Sequence, residues 1–124
     1  MINPKELRIG NLIETTNKIV RVIQTSKDTI WIQDLNRNAL PALMPQWFSG
    51  IPITEEWLIK FGYKTIYDDF MFIRGEFTIM KENGIYGVHK TNRTYITYCD
   101  NIKSIHQLQN FTYILTGEEL TINE

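Results

Sequence analysis

The sequence has few of the residues and runs that define several large classes of protein. Its 124 residues include a single cysteine, Cys99, which excludes a disulfide framework and a zinc site built on cysteine pairs. No apolar run approaches the roughly 18 residues that a membrane-spanning helix requires. The amino-terminal stretch MINPKELRIGN has no apolar segment or cleavage site of the kind found in signal peptides. We therefore expect a cytoplasmic protein with no membrane partner.

Neither positive nor negative charge is in large excess. The 13 basic and 14 acidic side chains leave a net charge of -1, whereas a general nucleic-acid binder usually carries a basic surplus. Nucleic acid is therefore not an expected partner. With 43% hydrophobic and 22% charged residues, the composition predicts one globular domain over residues 1–124.

The sequence also lacks the motifs of common enzymes and cofactor sites. It contains neither a P-loop nor a dinucleotide-binding glycine pattern. The two histidines, His89 and His106, do not have the spacing of a helical zinc motif. Adjacent carboxylates at Asp68 and Asp69 would point apart on a strand, so they are expected in a polar turn. We predict no catalytic residue, no metal site and no cofactor, and hence a protein that is not an enzyme.

Alternating β-branched residues predict an N-terminal β-meander over residues 7–35. Its strands are expected at residues 7–14, 19–24 and 29–35. Within the third strand, Ile30 and Ile32 should face inward while Trp31 is half covered. An SH3-like arrangement is one option for this meander.

Residues 36–53 contain three of the four prolines and follow neither the helical nor the strand period. One interpretation is an apolar lid that folds over the open end of the sheet. The other is that Met44, Trp47 and Phe48 contact a partner protein or a second copy of the chain, since aromatic residues dominate interface energetics. The sequence leaves both interpretations open.

Capping signals predict two helices. A short central helix over residues 54–62 begins at Thr54, and a C-terminal helix over residues 104–117 begins with a capping box at Ser104 and ends at Gly117. The apolar stripe of the second helix is expected to consist of Ile105, Leu108, Phe111 and Leu115.

The segment over residues 70–99 predicts three or four further strands, and Asn83-Gly84 is its strongest hairpin signal. A two-residue turn there pairs Lys81 with Tyr86, Ile79 with Val88, and Phe77 with Lys90. A second tight turn at Asn92-Arg93 would pair Lys90 with Tyr95 and place Tyr86, Val88, Lys90 and Tyr95 on one face. The fold class expected is α+β, with a mainly antiparallel sheet of six to seven strands joined into one core.

No acidic residue occurs between Asn83 and Cys99, where basic and aromatic residues cluster. Rings that stack on a planar base and cations that meet phosphate would suit an anionic ligand such as a cyclic nucleotide or a related signal. The candidate ligand-binding residues are Tyr86, His89, Lys90, Arg93, Tyr95 and Tyr98. Contact with a partner protein and an ordinary solvated sheet face are the alternatives.

Three segments, KELRIGNLI, PITEEWLIKFGY and HQLQNFTYILTGEELTI, resemble a family of short proteins encoded by phages, prophages and mobile elements of Bacteroidota-type bacteria. The resemblance implies an accessory protein that acts inside the infected or lysogenic host, and it carries over no catalytic residue. The first role it suggests is an anti-defence sponge that sequesters a nucleotide immune signal. A protein–protein inhibitor or adaptor acting on a host protein is the second, and a DNA-binding regulator is the third. Because sponge pockets often form between subunits, a homo-oligomer is expected.

Overall fold

The structure is a computed structural model that describes residues 6–15, 18–26, 29–36, 40, 48–66, 71–91 and 93–122, with backbone alone for residues 93–98 and 100. Within this part of the chain the class is α+β, as predicted, with eight strands and two helices. The elements in order are β1 (Leu12–Thr15), β2 (Lys18–Thr25), β3 (Ile30–Asp34), α1 (Glu55–Lys60), β4 (Lys64–Ile66), β5 (Met71–Arg74), β6 (Phe77–Glu82), β7 (Ile85–Lys90), β8 (Arg93–Ile102) and α2 (Ile105–Thr116).

The chain divides into two compact units. Unit 1 consists of Met1–Pro52 with Ser104–Glu119, and unit 2 consists of Ile53–Lys103 with Leu120–Glu124. The strands form two antiparallel sheets, β1-β2-β3 and β4-β5-β6-β7-β8, rather than the single sheet expected from the sequence. The single domain over residues 1–124 stays a prediction.

The sheet of unit 1 is the predicted meander. Ile30 and Ile32 are buried and Trp31 is half-buried, which confirms the expected alternation along β3. The first strand begins at Leu12 rather than at residue 7, because Gly10 adopts a positive φ of 99° and turns the chain. The N–H of Gly10 donates to the carbonyl of Val22 at 2.8 Å, and this hydrogen bond holds the turn against β2.

Phe48 packs into the hydrophobic core of unit 1 and is only 2% exposed. The buried residues of that core are Leu7, Ile13, Val20, Val22, Ile30, Ile32 and Phe48. The next residue, Ser49, exchanges backbone hydrogen bonds with Glu14 at 2.9 and 3.0 Å, which attaches this part of the proline-rich segment to β1. In this arrangement Phe48 belongs to the core, as in the lid interpretation. Met44 and Trp47 lie outside the described residues.

The helix α2 keeps its predicted ends, and Ile105 and Leu108 of its predicted apolar stripe are buried. Gly117 ends it in a left-handed conformation with φ 73°. Leu115, expected inside, is 41% exposed, whereas Gln109 and Thr112 are buried. The Thr112 hydroxyl donates to the carbonyl of Leu108 at 2.9 Å, so it needs no partner outside the helix. The apolar pattern is incomplete because three buried positions of this helix, at His106, Gln109 and Thr112, carry polar groups that have hydrogen-bond partners.

In unit 2 the hairpin of β6 and β7 follows the prediction residue for residue. Asn83 and Gly84 have positive φ angles of 52° and 79°, as a two-residue turn of the hairpin type requires. All the pairs predicted between β6 and β7 are present, and the central helix begins at Thr54 as expected. The short edge strand β4 was not predicted, because its three residues Lys64–Ile66 are too few to show a period.

The predicted turn at Asn92-Arg93 is wrong by one residue. Lys90 pairs with Arg93 and not with Tyr95, and three register shifts follow between Tyr86 and Lys90. The hydroxyl of Thr91 donates to the carbonyl of Gly75 at 2.9 Å, and its N–H donates to the carbonyl of Glu76 at 2.9 Å. These bonds to the β5–β6 turn fix where β7 ends. Because the pairing is irregular, counting residues from the turn does not establish a face shared by Tyr86, Val88, Lys90 and Tyr95.

Tyr63 makes the stability of the protein depend on alkaline pH. Burial raises the pKa of Tyr63 to about 12, and the charge of Arg74 opposes this increase only in part. An unfolded tyrosine has a pKa of about 10. The contribution of Tyr63 to the free energy of unfolding is therefore fully present below about pH 10. About 2–3 kcal/mol of the free energy of unfolding is lost as the pH rises toward 12, because the tyrosine of the unfolded chain releases its proton at a lower pH than the buried one. Urea unfolding of wild type and Tyr63→Phe at pH 8 to 11 (about one point per unit) checks this. Equal alkaline losses in both proteins would contradict it.

Candidate functional site

A polar cluster in unit 1 ties residues 6–11 to α2. Its centre is Asn110, whose Oδ1 accepts from Asn11 Nδ2 at 2.8 Å and from the Arg8 guanidinium at 3.1 Å. The Nδ2 of Asn110 donates to the backbone carbonyl of Glu6 at 2.6 Å. One amide side chain thus joins three residues that lie about a hundred positions away along the chain.

Gln109 and Asn11 form hydrogen bonds with backbone groups next to this cluster. Gln109, 2% exposed, accepts from the N–H of Leu12 at 2.8 Å and donates to the carbonyl of Gly10 at 3.2 Å. Asn11, fully buried, accepts from the N–H of Arg8 at 2.7 Å. Among the described residues no buried side-chain nitrogen or oxygen lacks a partner. The cluster therefore holds its backbone in one arrangement.

His106 lies at the base of the cluster and is 3% exposed. Its Nδ1 is 3.2 Å from Ser104 Oγ, and its Nε2 is 3.2 Å from Glu6 Oε2. Gly50 packs so closely here that a Cβ on it would lie 3.0 Å from the Ser104 Cβ and 3.1 Å from the His106 Cε1. The imidazole is thus held on two sides by hydrogen bonds and covered by backbone.

The order hydroxyl, imidazole, carboxylate is also the order found in serine hydrolases. Ser104 is buried, however, and it is the N-cap residue of α2, where its backbone N–H donates to Gln107 Oε1 at 3.2 Å. Its hydroxyl does not line the neighbouring cleft. The chain of groups links the N-cap of α2 to Glu6 through His106.

Arg8 is held at three points on the surface of the cluster. Its guanidinium lies 3.9 Å from the centre of the Tyr113 ring, within the range of a cation–π interaction. It also forms an ion pair with Glu119. Together with the bond to Asn110, these contacts largely satisfy the positive charge of Arg8 within the protein.

Next to this cluster is an open cleft of about 490 Å³, which we call the α2 cleft. Its lining residues are Glu6, Arg8, His106, Gln107, Asn110, Phe111 and Ile114. Ile114 is 76% exposed, while Phe111 is half-buried. The cleft therefore combines a polar wall fixed by hydrogen bonds with an apolar lip on α2.

The candidate ligand site on β7 and β8 is only partly described. Tyr86 is buried and Lys81 lies 5.8 Å from the centre of its ring, so this ring offers no open face to a planar base. His89 and Lys90 are half-buried. The side chains of Arg93, Tyr95 and Tyr98 lie outside the described residues.

The sequence did not identify the residues of the polar cluster. A signal was present, because His106, Gln109, Asn110 and Tyr113 recur at helical spacing as a second, polar stripe on α2. Nothing in the sequence indicated that Glu6, Arg8 and Asn11 would meet that stripe.

Other site types find little support in the described part of the chain. No group of three or more His, Cys, Asp or Glu side chains is arranged there to hold a metal ion. None of the described helices has the length and apolar character to cross a membrane. Compared with protein-family models, curated proteins and solved structures, the chain shows no significant match.

Proposed function

We propose that the protein is a non-catalytic accessory binding protein that holds a segment of a partner protein in the α2 cleft. The observation that carries this proposal is the 76% exposure of Ile114 beside a cleft whose other wall is fixed by hydrogen bonds. Exposed apolar patches rimmed by polar residues are typical of protein–protein interaction sites, and Tyr113 and Leu115 beside Ile114 are also exposed, each at 41%. A wall that is already ordered loses little conformational freedom on binding, which favours affinity.

The geometry at His106 supports a role without catalysis. Ser104 is covered by Gly50 and serves as the N-cap of α2, so the three groups of that chain all have structural partners. An accessory role inside a bacterial host, as an inhibitor or adaptor, is also what the resemblance to phage and prophage proteins implies. The partner would then be a host protein.

Sequestration of a nucleotide signal is the second candidate function. It is supported by His89 and Lys90, which are half-buried at the end of β7, within a stretch that has no acidic residue. Because successive side chains of a strand point to opposite faces, a ligand on one face of the sheet would contact only one of these two residues. The burial of Tyr86 removes one of the rings that would stack on a base. For this reason we rank the nucleotide ligand below the partner protein.

Site-specific photo-crosslinking tests the first candidate. A photoreactive amino acid at position 114 is expected to give a discrete crosslinked protein in Bacteroidota cells, because Ile114 lies at the cleft. The same amino acid at position 85 is the control, since Ile85 is also exposed, at 48%, but lies in β7 of unit 2 and does not line the α2 cleft. Absence of a product at position 114, or equal products at both positions, would overturn the proposal. A nucleotide retained in native mass spectrometry of the purified protein would favour the second candidate.

A further inference from the structure

We propose that the turn between β6 and β7 is a site of spontaneous covalent modification, at which Asn83 is converted to aspartate and isoaspartate as the protein ages. The reaction needs an asparagine amide, a following residue that leaves its backbone nitrogen uncovered, and enough freedom for the two groups to meet. The Asn83-Gly84 turn meets these three requirements. Neither residue lines the α2 cleft, so this proposal does not depend on the proposed function.

The reaction joins the backbone nitrogen of Gly84 to the side chain of Asn83. The nitrogen attacks Cγ of Asn83, the bond from Cγ to Nδ2 breaks, and the amide leaves as ammonia with the proton that the Gly84 nitrogen loses. Water then opens the resulting succinimide ring. Hydrolysis of the new bond to Cγ gives aspartate, whereas hydrolysis of the original peptide bond gives isoaspartate, whose main chain runs through Cβ and Cγ. Water is the only co-reactant, and no group is oxidised or reduced.

The backbone nitrogen of Gly84 is open to this attack. Asn83 is the only asparagine of the sequence that is followed by glycine, which has no Cβ beside the attacking nitrogen. The space around Gly84 is open as well, since a Cβ built on it would meet no atom of the described residues within 4 Å, its chain neighbours aside. Asn110 provides the contrast, because Phe111 follows it and its Nδ2 donates to the carbonyl of Glu6 at 2.6 Å.

The turn is exposed and can change its shape without opening the core. Asn83 and Gly84 are both exposed, and so are Glu82 and Ile85, the paired residues that flank them at the ends of β6 and β7. Cyclisation requires a rotation about the bond between Cα and the carbonyl carbon of Asn83. Because this rotation displaces exposed residues at the tip of the hairpin, it needs only a local opening and no global unfolding.

The two products affect the hairpin differently. Aspartate leaves the length of the main chain unchanged, and Asp-Gly, like Asn-Gly, suits the positive φ angles of 52° and 79° found in this turn. Isoaspartate adds one atom to the main chain between Glu82 and Ile85, so the turn no longer matches the register in which these two residues pair. We therefore expect the isoaspartate form, but not the aspartate form, to be less stable.

Mass spectrometry of the aged protein tests this proposal. The purified full chain is kept for weeks at mildly alkaline pH and then cleaved with trypsin, which releases Asn83 in the peptide ENGIYGVHK, residues 82–90. A sample cleaved at the start gives the reference. We expect the peptide to gain about one mass unit and to separate into aspartate and isoaspartate forms. Its rate of conversion in the folded protein should lie within about a hundredfold of the rate in the free peptide, which corresponds to an opening free energy of at most about 2.7 kcal/mol.

Asn83→Gly is the matched control, because Gly-Gly also forms the two-residue turn but has no amide to cyclise. It should show no gain of mass in this peptide. Asn83→Asp should unfold at the same urea concentration as fresh wild type, whereas the isoaspartate fraction of aged wild type should unfold at a lower one. An unchanged peptide in aged wild type, or a rate more than about a hundredfold below that of the free peptide, would overturn the proposal. Equal gains of intact mass in wild type and Asn83→Gly would also overturn it, since the reaction would then lie at other amides.

Discussion

Replacing Phe48 by alanine is expected to lower the free energy of unfolding by about 3–5 kcal/mol and to leave the oligomeric mass unchanged. The ring is 2% exposed and packs in the core of unit 1 among side chains from all three strands of its sheet. Its removal takes away apolar burial and leaves a cavity that the backbone bonds between Ser49 and Glu14 prevent from closing. Urea unfolding and native mass spectrometry of Phe48→Ala measure the two quantities.

The control for this variant is Ile9→Ala. Ile9 is also in unit 1 but is 63% exposed, so its truncation should change the stability by less than about 0.5 kcal/mol. The measured stability and oligomeric mass distinguish the two interpretations of residues 36–53. A Phe48→Ala protein of normal stability but lower mass would assign Phe48 to an interface between subunits.

Gln109→Met is expected to cost about 2–6 kcal/mol, although methionine has almost the same length and fills the same space. The cause is the loss of both hydrogen bonds that Gln109 makes to buried backbone, to the N–H of Leu12 at 2.8 Å and to the carbonyl of Gly10 at 3.2 Å. Each unsatisfied buried polar group costs about 1–3 kcal/mol. Chemical denaturation gives the total, and hydrogen exchange at the Leu12 amide should become faster.

Gln24→Met provides the comparison for this substitution. Gln24 is exposed on β2, so water replaces whatever its amide contacts and the stability should change by less than about 0.5 kcal/mol. If the two methionine variants unfolded at the same urea concentration, the polar cluster would not contribute to the stability of unit 1.

The parts of the fold that could be predicted from the sequence depend on neighbouring residues. Thr54 and Gly117 mark helix ends through bonds within one turn, and Asn83-Gly84 determines the whole register of β6 with β7, since a two-residue turn leaves one way to count. The turn after β7 could not be found in this way. Its position depends on the hydrogen bond from the Thr91 hydroxyl to the carbonyl of Gly75, and no local sequence pattern indicates that bond.

The candidate site was beyond prediction for the same reason. The bond between Asn11 and Asn110 joins positions 99 residues apart, and each asparagine alone is compatible with an exposed surface. Gln109 is buried although it is polar and lies outside the predicted apolar stripe of α2. Its burial is possible because bonds to the Leu12 N–H and the Gly10 carbonyl replace those that its amide would make with water. Polar groups of this kind become recognisable only when both partners are placed.

The division of the chain also determines the order in which its parts can form during synthesis. The strands of the five-stranded sheet are contiguous, between Ile53 and Lys103, so they can pair as soon as that stretch has left the ribosome. The first three strands emerge earlier, yet Asn11 and the Leu12 amide must wait for Asn110 and Gln109, which are made after the whole five-stranded sheet. The three-stranded sheet is thus made before the five-stranded one, but its first strand acquires these hydrogen bonds only after the five-stranded sheet has been made.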